Sequence, residues 1–470
     1  MSSVLRLETM NPYVRKAQYA VRGRLYSAAL ERSKAGLPVV YTNIGNPHGL
    51  GQKPITFFRQ VVAIVNYPGL LEDEATRRHF PEDVIKRARL YLNHFKGGTG
   101  SYQDSRGNAY IREEVAKRLE ERDGTKPDIS SIFLTDGASA GVSRCLQALI
   151  QGSADAVLTP TPQYPIYAAA INLFNGTSAE YYLDEQKGWG LDLDELDRAR
   201  NKAHDSGGKV RGLVVINPGN PTGQCLSEKN MLEIVEWCKR KKVVLFADEV
   251  YQENVYSSGR QFVSFRKVIS ESKQASDLEC FSFHTISKGM VGECGHRGGY
   301  FHCNNIDPLV RNEIYKLAST TLCSNTTGEM LVGLMSNPPR PGDPSYELYH
   351  LEVRGIYESL RRRAKMLAEA LGKMQGVTCN AVEGALYAFP RIRLPHRAVV
   401  AAKAAGVPAD TYYCLRLLDE TGICTVPGSG FGQQEGTFHF RTTILAQEED
   451  FDYLTQSFQE FHARFISEYS

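Results

Sequence analysis

Phe281-Ser282-Phe283-His284-Thr285-Ile286-Ser287-Lys288-Gly289 is the stretch on which the reading of this chain turns. Phe281, Phe283 and the residues between them make a short apolar run of the kind that ends a buried strand. The run breaks into Ser287-Lys288-Gly289, a turn-forming tripeptide, so Lys288 leaves the sheet edge for whatever cleft lies beyond it. Desolvation disfavours an ammonium, and an amine in such a place gives up its proton more readily than one in water. A neutral amine attacks aldehydes, which makes Lys288 a candidate for holding an aldehyde cofactor as a Schiff base. Most lysines are solvated surface groups, so the tripeptide alone decides little and its neighbours must be weighed with it.

Working outward from Lys288, strands, turns and helices alternate. Ile132–Thr135, Ala156–Thr159, Leu213–Ile216, Val243–Phe246, Phe281–His284 and Gly299–His302 read as short buried strands, with helical patterns over 140–150, up to about Asn172, and over 228–241. The alternation predicts an α/β fold with a mostly parallel sheet flanked by helices, its functional groups collected at the carboxyl ends of the strands. Upstream, helical spacing covers 55–67, 83–94 and 109–122, and Val14, Ala17, Val21, Leu25 and Ala28 predict one amphipathic helix over 12–34. Asn337-Pro338-Pro339-Arg340-Pro341-Gly342-Asp343-Pro344 is the clearest break. Beyond it come a long helical pattern over 346–374, two strand-like runs at 377–381 and 385–389 read as a hairpin or pair, a strand near 438–442 and a final helix from about Glu448, together a smaller α+β domain.

The composition fits an ordinary soluble enzyme: of 470 residues 42% are hydrophobic and 23% charged, with 55 basic against 53 acidic side chains. That length predicts two domains. The near-neutral balance predicts no nucleic-acid partner, and the longest apolar runs are too short to cross a membrane. The ten cysteines show no Cys-x-x-Cys pair and the histidines no zinc-ligand spacing, so no metal is expected. Unpaired cysteines suit a reducing compartment, and the cytoplasm is the expected location. The mildly basic start (Arg6, Arg15, Lys16, Arg22, Arg24) leaves a mitochondrial presequence open, although Glu8 intrudes.

Several turns at predicted strand ends carry chemistry. Asn217-Pro218-Gly219-Asn220-Pro221-Thr222-Gly223 doubles an Asn-Pro step, a rigid turn that would hold the Asn220 amide as a donor. Asp248, at the end of its strand, is costly to bury unless paired, and a protonated ring nitrogen would pair it. Tyr251 can reach the same ligand through its hydroxyl. Arg297, in Gly295-His296-Arg297-Gly298-Gly299, suits a phosphate approached closely by backbone. Asp136-Gly137-Ala138-Ser139-Ala140 is a strand-to-helix turn whose backbone N–H groups and Ser139 hydroxyl form a phosphate cup. Tyr164 could stack on a planar cofactor. Gly428-Ser429-Gly430-Phe431-Gly432 is glycine-rich but lacks the strand-turn-helix context of a nucleotide loop, and reads as a turn near the substrate mouth.

In this order, Gly137-Ala138-Ser139, Tyr164, Asn217 to Gly223, Asp248 with Tyr251, Ser287-Lys288-Gly289 and Arg297 resemble the fold-type I pyridoxal-phosphate aminotransferases of class I/II. The stretches Pro160 to Pro165, Tyr181 to Glu185, Val215 to Gln224, Ala247 to Tyr256, Met290 to Tyr300 and Thr421 to Gln433 are similar to the alanine aminotransferases within that family, and the likeness runs from about Asn11 to the end. The resemblance implies a seven-stranded sheet in a large pyridoxal 5′-phosphate domain over 46–336, with 1–45 an N-terminal arm joining a small domain completed by 337–470. It implies that Lys288 carries the cofactor and later shuttles a proton to and from the substrate α-carbon. Asp248 would hold the ring-nitrogen proton; Asn220 and Tyr251 would bond the ring oxygen; Ala138, Ser139, Thr285 and Arg297 would bind phosphate; Tyr164 would stack. Arg441 would grip the substrate α-carboxylate, helped by Gly45 and Asn220, with Tyr164 beside the substrate. Tyr102 would come from the neighbouring subunit of a homodimer.

The expected reaction exchanges an amino group between L-alanine plus 2-oxoglutarate and pyruvate plus L-glutamate, in ping-pong order. Glutamate:glyoxylate transfer and a lyase on the same fold stay open as alternatives. A cofactor-sensing regulator would need a DNA-binding domain, for which the chain ahead of its first loop leaves little room.

Overall fold

The computed structural model describes residues 4–17 and 23–470. Seven strands form the central sheet: β1 (Ile132–Thr135), β2 (Asp155–Thr161), β3 (Thr177–Tyr182), β4 (Lys209–Ile216), β5 (Val244–Asp248), β6 (Cys280–Thr285) and β7 (Gly299–Asn304). Their order is β1-β7-β6-β5-β4-β2-β3. Only β7 runs against its neighbours, so the sheet is mostly parallel, as the alternation of strands and helices predicts. β1, β2, β6 and nearly all of β5 and β7 are buried along their length, which explains their continuous apolar runs. β3 is an edge strand whose residues are mostly exposed or half-buried, Tyr181 alone among them being buried, and no apolar run announces it in the sequence.

Helices cover both faces. Val142, Leu146, Ile171 and Ile314 pack with Phe133, Phe246, Phe283 and Phe301 on one side of the sheet. On the other, Leu196, Met231, Ile234 and Trp237 pack with Leu158, Leu213 and Leu245. The 27-residue helix Tyr346–Gly372 leads to a second core, where Leu360, Leu367, Leu417, Phe440, Phe458 and Phe465 meet. The amino-terminal segment joins that second core: Val40–Tyr41 pairs in parallel with Ile423–Cys424, and Leu25 and Ala29 pack into it.

Two expectations are corrected here. The single helix over 12–34 is two pieces, Pro12–Lys16 and Arg24–Lys34, because Ala17 turns extended after the first; Val21 and Arg22 lie outside the described residues. The runs at 377–381 and 385–389 do not pair with each other. Val377–Thr378 pairs with Arg391–Ile392, and Tyr387–Ala388 with Phe440–Thr443. The apolar pattern marked extended segments there, but the partner of the second lies some fifty residues away and is chosen by packing.

Candidate active site

The carboxyl ends of β1, β2, β4, β5 and β6 open into one cavity of about 920 Å³ between the sheet and the second core. Register brings the key groups to one level. Asp248, the last residue of β5, lies opposite Ile216 on β4 and Phe283 on β6, and Asn220 and Lys288 follow in the turns just beyond. The Lys288 turn is held by Gly289, whose left-handed φ of 65° suits glycine and whose N–H donates to Asn254 Oδ1 at 2.9 Å. Lys288 Nζ donates to the Gly45 carbonyl at 2.7 Å and lies 5.9 Å from the centre of the Tyr251 ring.

Asp248 is fully enclosed at the cavity floor. Burial pushes its carboxyl up to about 6, against the opposing pull of the Tyr167 hydroxyl (2.7 Å), the Val250 N–H (3.4 Å) and the Lys288 charge. The next side chain, Glu249, points to the other side of the strand. It accepts the Phe265 N–H at 2.7 Å, and burial raises it to about 7 although Arg122 is near. Pleat alternation thus aims one acid into the cavity and its neighbour away from it.

On one wall, the helix Ala138–Leu149 begins behind Gly137 and presents Ala138 and Ser139. Arg297 lies across that start, donating to the Asp136 carbonyl at 2.9 Å, the Cys294 carbonyl at 3.0 Å and Ser139 Oγ at 3.3 Å. The helix start and the guanidinium together make an anion site. The Thr285 hydroxyl faces the same cavity while donating to the Gly298 carbonyl at 2.8 Å.

Arg441 closes the opposite wall. It is 1% exposed and, among the described residues, has no carboxylate partner within salt-bridge distance. Its Nη1 donates to Asn220 Oδ1 at 3.1 Å, its Nη2 to the Asn43 carbonyl, and its buried Nε has no partner in the structure. The Asn220 amide oxygen accepts one of these bonds, and its NH2 group is the end that can donate. A buried guanidinium without a counter-ion is costly, and an anion entering the cavity can relieve it.

Lys288, Asp248, Tyr251, Ala138, Ser139, Tyr164, Asn220, Thr285, Arg297, Arg441 and Gly45 all line this one cavity. Tyr102 does not; it is 76% exposed on the surface. Sequence reading missed Tyr167, which bonds Asp248, and Tyr387, whose hydroxyl accepts from that of Tyr251 at 3.2 Å. Both occupy ordinary apolar patterns, and nothing in those patterns separates them from core aromatics. It also missed the Arg59–Glu293 pair on the cavity wall, bidentate at 2.7 and 2.8 Å.

Residues 70–458 match the model of the family Aminotransferase class I and II. The chain is 51% identical to glutamate–glyoxylate aminotransferase 1 of Arabidopsis thaliana, over 98% of this chain and 96% of that protein. It is 50% identical to a probable mitochondrial alanine aminotransferase of Dictyostelium discoideum, over 97% of this chain and 88% of that one. The solved alanine aminotransferase of Pyrococcus furiosus superposes with a TM-score of 0.78 at 22% identity, covering 97% of this chain and all of the other, a likeness of fold. The cavity at the strand ends, the lysine and acid within it and the near full-length likeness to these relatives make one conclusion: this chain belongs to the class I and II aminotransferases.

Proposed function

We propose that the chain moves an amino group between L-alanine plus 2-oxoglutarate and pyruvate plus L-glutamate, with pyridoxal 5′-phosphate as cofactor. The observation that carries this is Arg441, a buried cation without an acid, facing the same cavity as the Lys288 amine and the Asp248 carboxylate.

The residues fit the cofactor. The buried Asp248 carboxyl, raised to about 6 by its surroundings, is relieved by a cationic ring nitrogen. Ala138 and Ser139 at the helix start, with Arg297 and Thr285, would hold the phosphate, and Tyr164 would cover the ring. When bound, the cofactor supplies an aldehyde that carries the amino group and a ring that accepts electron density from the substrate α-carbon. Lys288 would hold the cofactor aldehyde through its amine, and the same amine would move the proton at the substrate α-carbon. Asp248 would keep the ring nitrogen protonated, while Asn220 and Tyr251 would bond the ring oxygen. Arg441 orients the amino acid by its α-carboxylate, with the Gly45 backbone alongside.

We also propose a homodimer in which the exposed Tyr102 reaches the partner's cavity. The proposed joining of the 1–45 arm to the small domain is supported by the pairing of Val40–Tyr41 with Ile423–Cys424. A reducing compartment suits the ten free cysteines, the cytoplasm being the proposed one. Among the described residues, no helix is long and apolar enough to cross a membrane. Glyoxylate as an acceptor is the second reading, favoured by the Arabidopsis relative.

A panel of amino donors and keto-acid acceptors, each followed as a single half-reaction, tests the assignment. Alanine should convert the cofactor to its amine form and 2-oxoglutarate should restore it, whereas Lys288→Ala should do neither. Ammonia release without an acceptor would overturn the transferase reading, and restoration by glyoxylate alone would select the second one.

A further inference from the structure

We propose that Tyr387 is a positioning residue of this site: its ring and that of Phe431 clamp the Arg441 guanidinium edge-on to the substrate α-carboxylate, and its hydroxyl holds the Tyr251 phenol in place. The inference rests on reading Arg441 as the carboxylate receptor. The guanidinium carbon lies 4.2 Å from the Tyr387 ring centre and 4.7 Å from that of Phe431. A planar cation within reach of two rings is attracted to both, which restrains how it presents its N–H groups to a ligand.

Sheet register produces the first contact. Tyr387 lies opposite Thr443 and Ala388 opposite Thr442, so Arg441 is the diagonal neighbour of Tyr387 on one face of the pair. Phe431 comes from the glycine-rich turn Gly428–Phe431, which follows Val426–Pro427, the strand paired to Arg441 on its other side. The turn near the substrate mouth thus delivers an aromatic ring to the carboxylate receptor.

The hydroxyl of Tyr387 does separate work. A side chain at Gly45 would fall on it, so backbone and phenol are in close contact beside Lys288 Nζ. Burial alone would raise the Tyr387 phenol, but the Lys288 and Arg441 cations and the Tyr251 hydrogen bond outweigh it and hold the phenol below its usual value. Tyr251 is pushed well above its own, by burial and by Tyr387. The two hydroxyls lie 3.2 Å apart in a hydrogen bond, so each holds the other in place. Ring and hydroxyl can be separated by mutation.

The test uses the holoenzyme and propanoate, a carboxylate with no amine to transfer. Its binding is read by calorimetry, beside kcat and KM for L-alanine. Phe431→Leu and Tyr387→Leu should each weaken propanoate about 10-fold or more and raise KM in step. Tyr387→Phe keeps the ring, so propanoate should bind within about twofold of wild type. The same variant should lower kcat about 5- to 10-fold, because Tyr251 has lost its hydrogen-bond partner. A Phe431→Leu protein that binds propanoate as wild type does, or a Tyr387→Phe protein whose loss lies in KM with kcat untouched, overturns the proposal. Should Tyr387→Leu fail to fold, Phe431→Leu still tests the clamp and Tyr387→Phe the hydroxyl. Wild type that binds propanoate but turns over neither alanine nor glutamate would discard the proposed function and leave the clamp standing. Wild type that binds no propanoate discards the clamp.

Discussion

Replacing Asp248 by asparagine should make the cofactor-free protein more stable while depriving it of its grip on the cofactor. The carboxyl rises from 3.8 to about 6 on folding, chiefly through burial. About two pH units at about 1.4 kcal/mol each amount to about 3 kcal/mol of strain carried by the ionised side chain at neutral pH. The sign follows from proton counting. Between about pH 4 and pH 6 the folded state keeps the proton and the unfolded state has released it, so stability falls as pH rises through that window. Below it, both states are protonated and the strain vanishes. The amide cannot ionise, and its oxygen can still accept the Tyr167 hydroxyl that now lies 2.7 Å from Asp248. In urea unfolding of stripped protein, Asp248→Asn should therefore exceed wild type by about 2–3 kcal/mol at about pH 7.5, and the gap should close toward about pH 4. Reconstitution should show the opposite preference, with the variant holding pyridoxal 5′-phosphate far more weakly. If the stripped variant is less stable than wild type at neutral pH, or if the gap ignores pH, then burial does not strain Asp248 and its pairing with a ring nitrogen loses its physical basis.

Arg441→Lys should raise KM for L-alanine by about 10- to 100-fold, since an ammonium cannot bond Asn220 and the Asn43 carbonyl and still present a fork. Steady-state kinetics with alanine checks this, and an unchanged KM would remove Arg441 from the carboxylate site. Gly45→Ala should destabilise the protein by about 1–3 kcal/mol and slow turnover, because the new methyl meets the Tyr387 hydroxyl, pinned by its neighbours, and lies 3.1 Å from Lys288 Nζ. Denaturation midpoints and activity read it together; a variant unaffected in both would mean that the wall at Tyr387 yields.

The parts of this molecule that are legible in its sequence share one property: the signal is local. Strands buried on both faces spell out continuous apolar runs, as Phe281 to Thr285 does, and turn residues at their ends mark where side chains gather. Lys288, Asp248, Asn220 and Arg297 stand out that way, as exceptions to the apolar run or as doubled turn motifs. What escapes is decided at a distance. β3 is an edge strand whose side chains are mostly exposed or half-buried, so no run marks it. Tyr387–Ala388 reads as extended but suggests the wrong partner, because its pairing with Phe440–Thr443 depends on how the second core packs. Tyr167 sits on the helix Ile166–Leu173 among residues that simply pack, and only the folded chain brings its hydroxyl to Asp248, 81 positions on. Helical periodicity likewise runs through Ala17, where the backbone turns extended.

The carbonyls of Asn43 and Gly45 have a consequence for when the protein can first work. They receive two of the cavity's cations, Arg441 and Lys288, and their segment is fastened by the pairing of Val40–Tyr41 with Ile423–Cys424. Arg441 is translated 398 residues after Asn43. A ribosome can therefore complete the entire central sheet, lysine and acid included, before the guanidinium of the opposite wall exists. The cavity is closed only when a late stretch of polypeptide returns to clasp an early one, so an unfinished copy holds the sheet without its second wall.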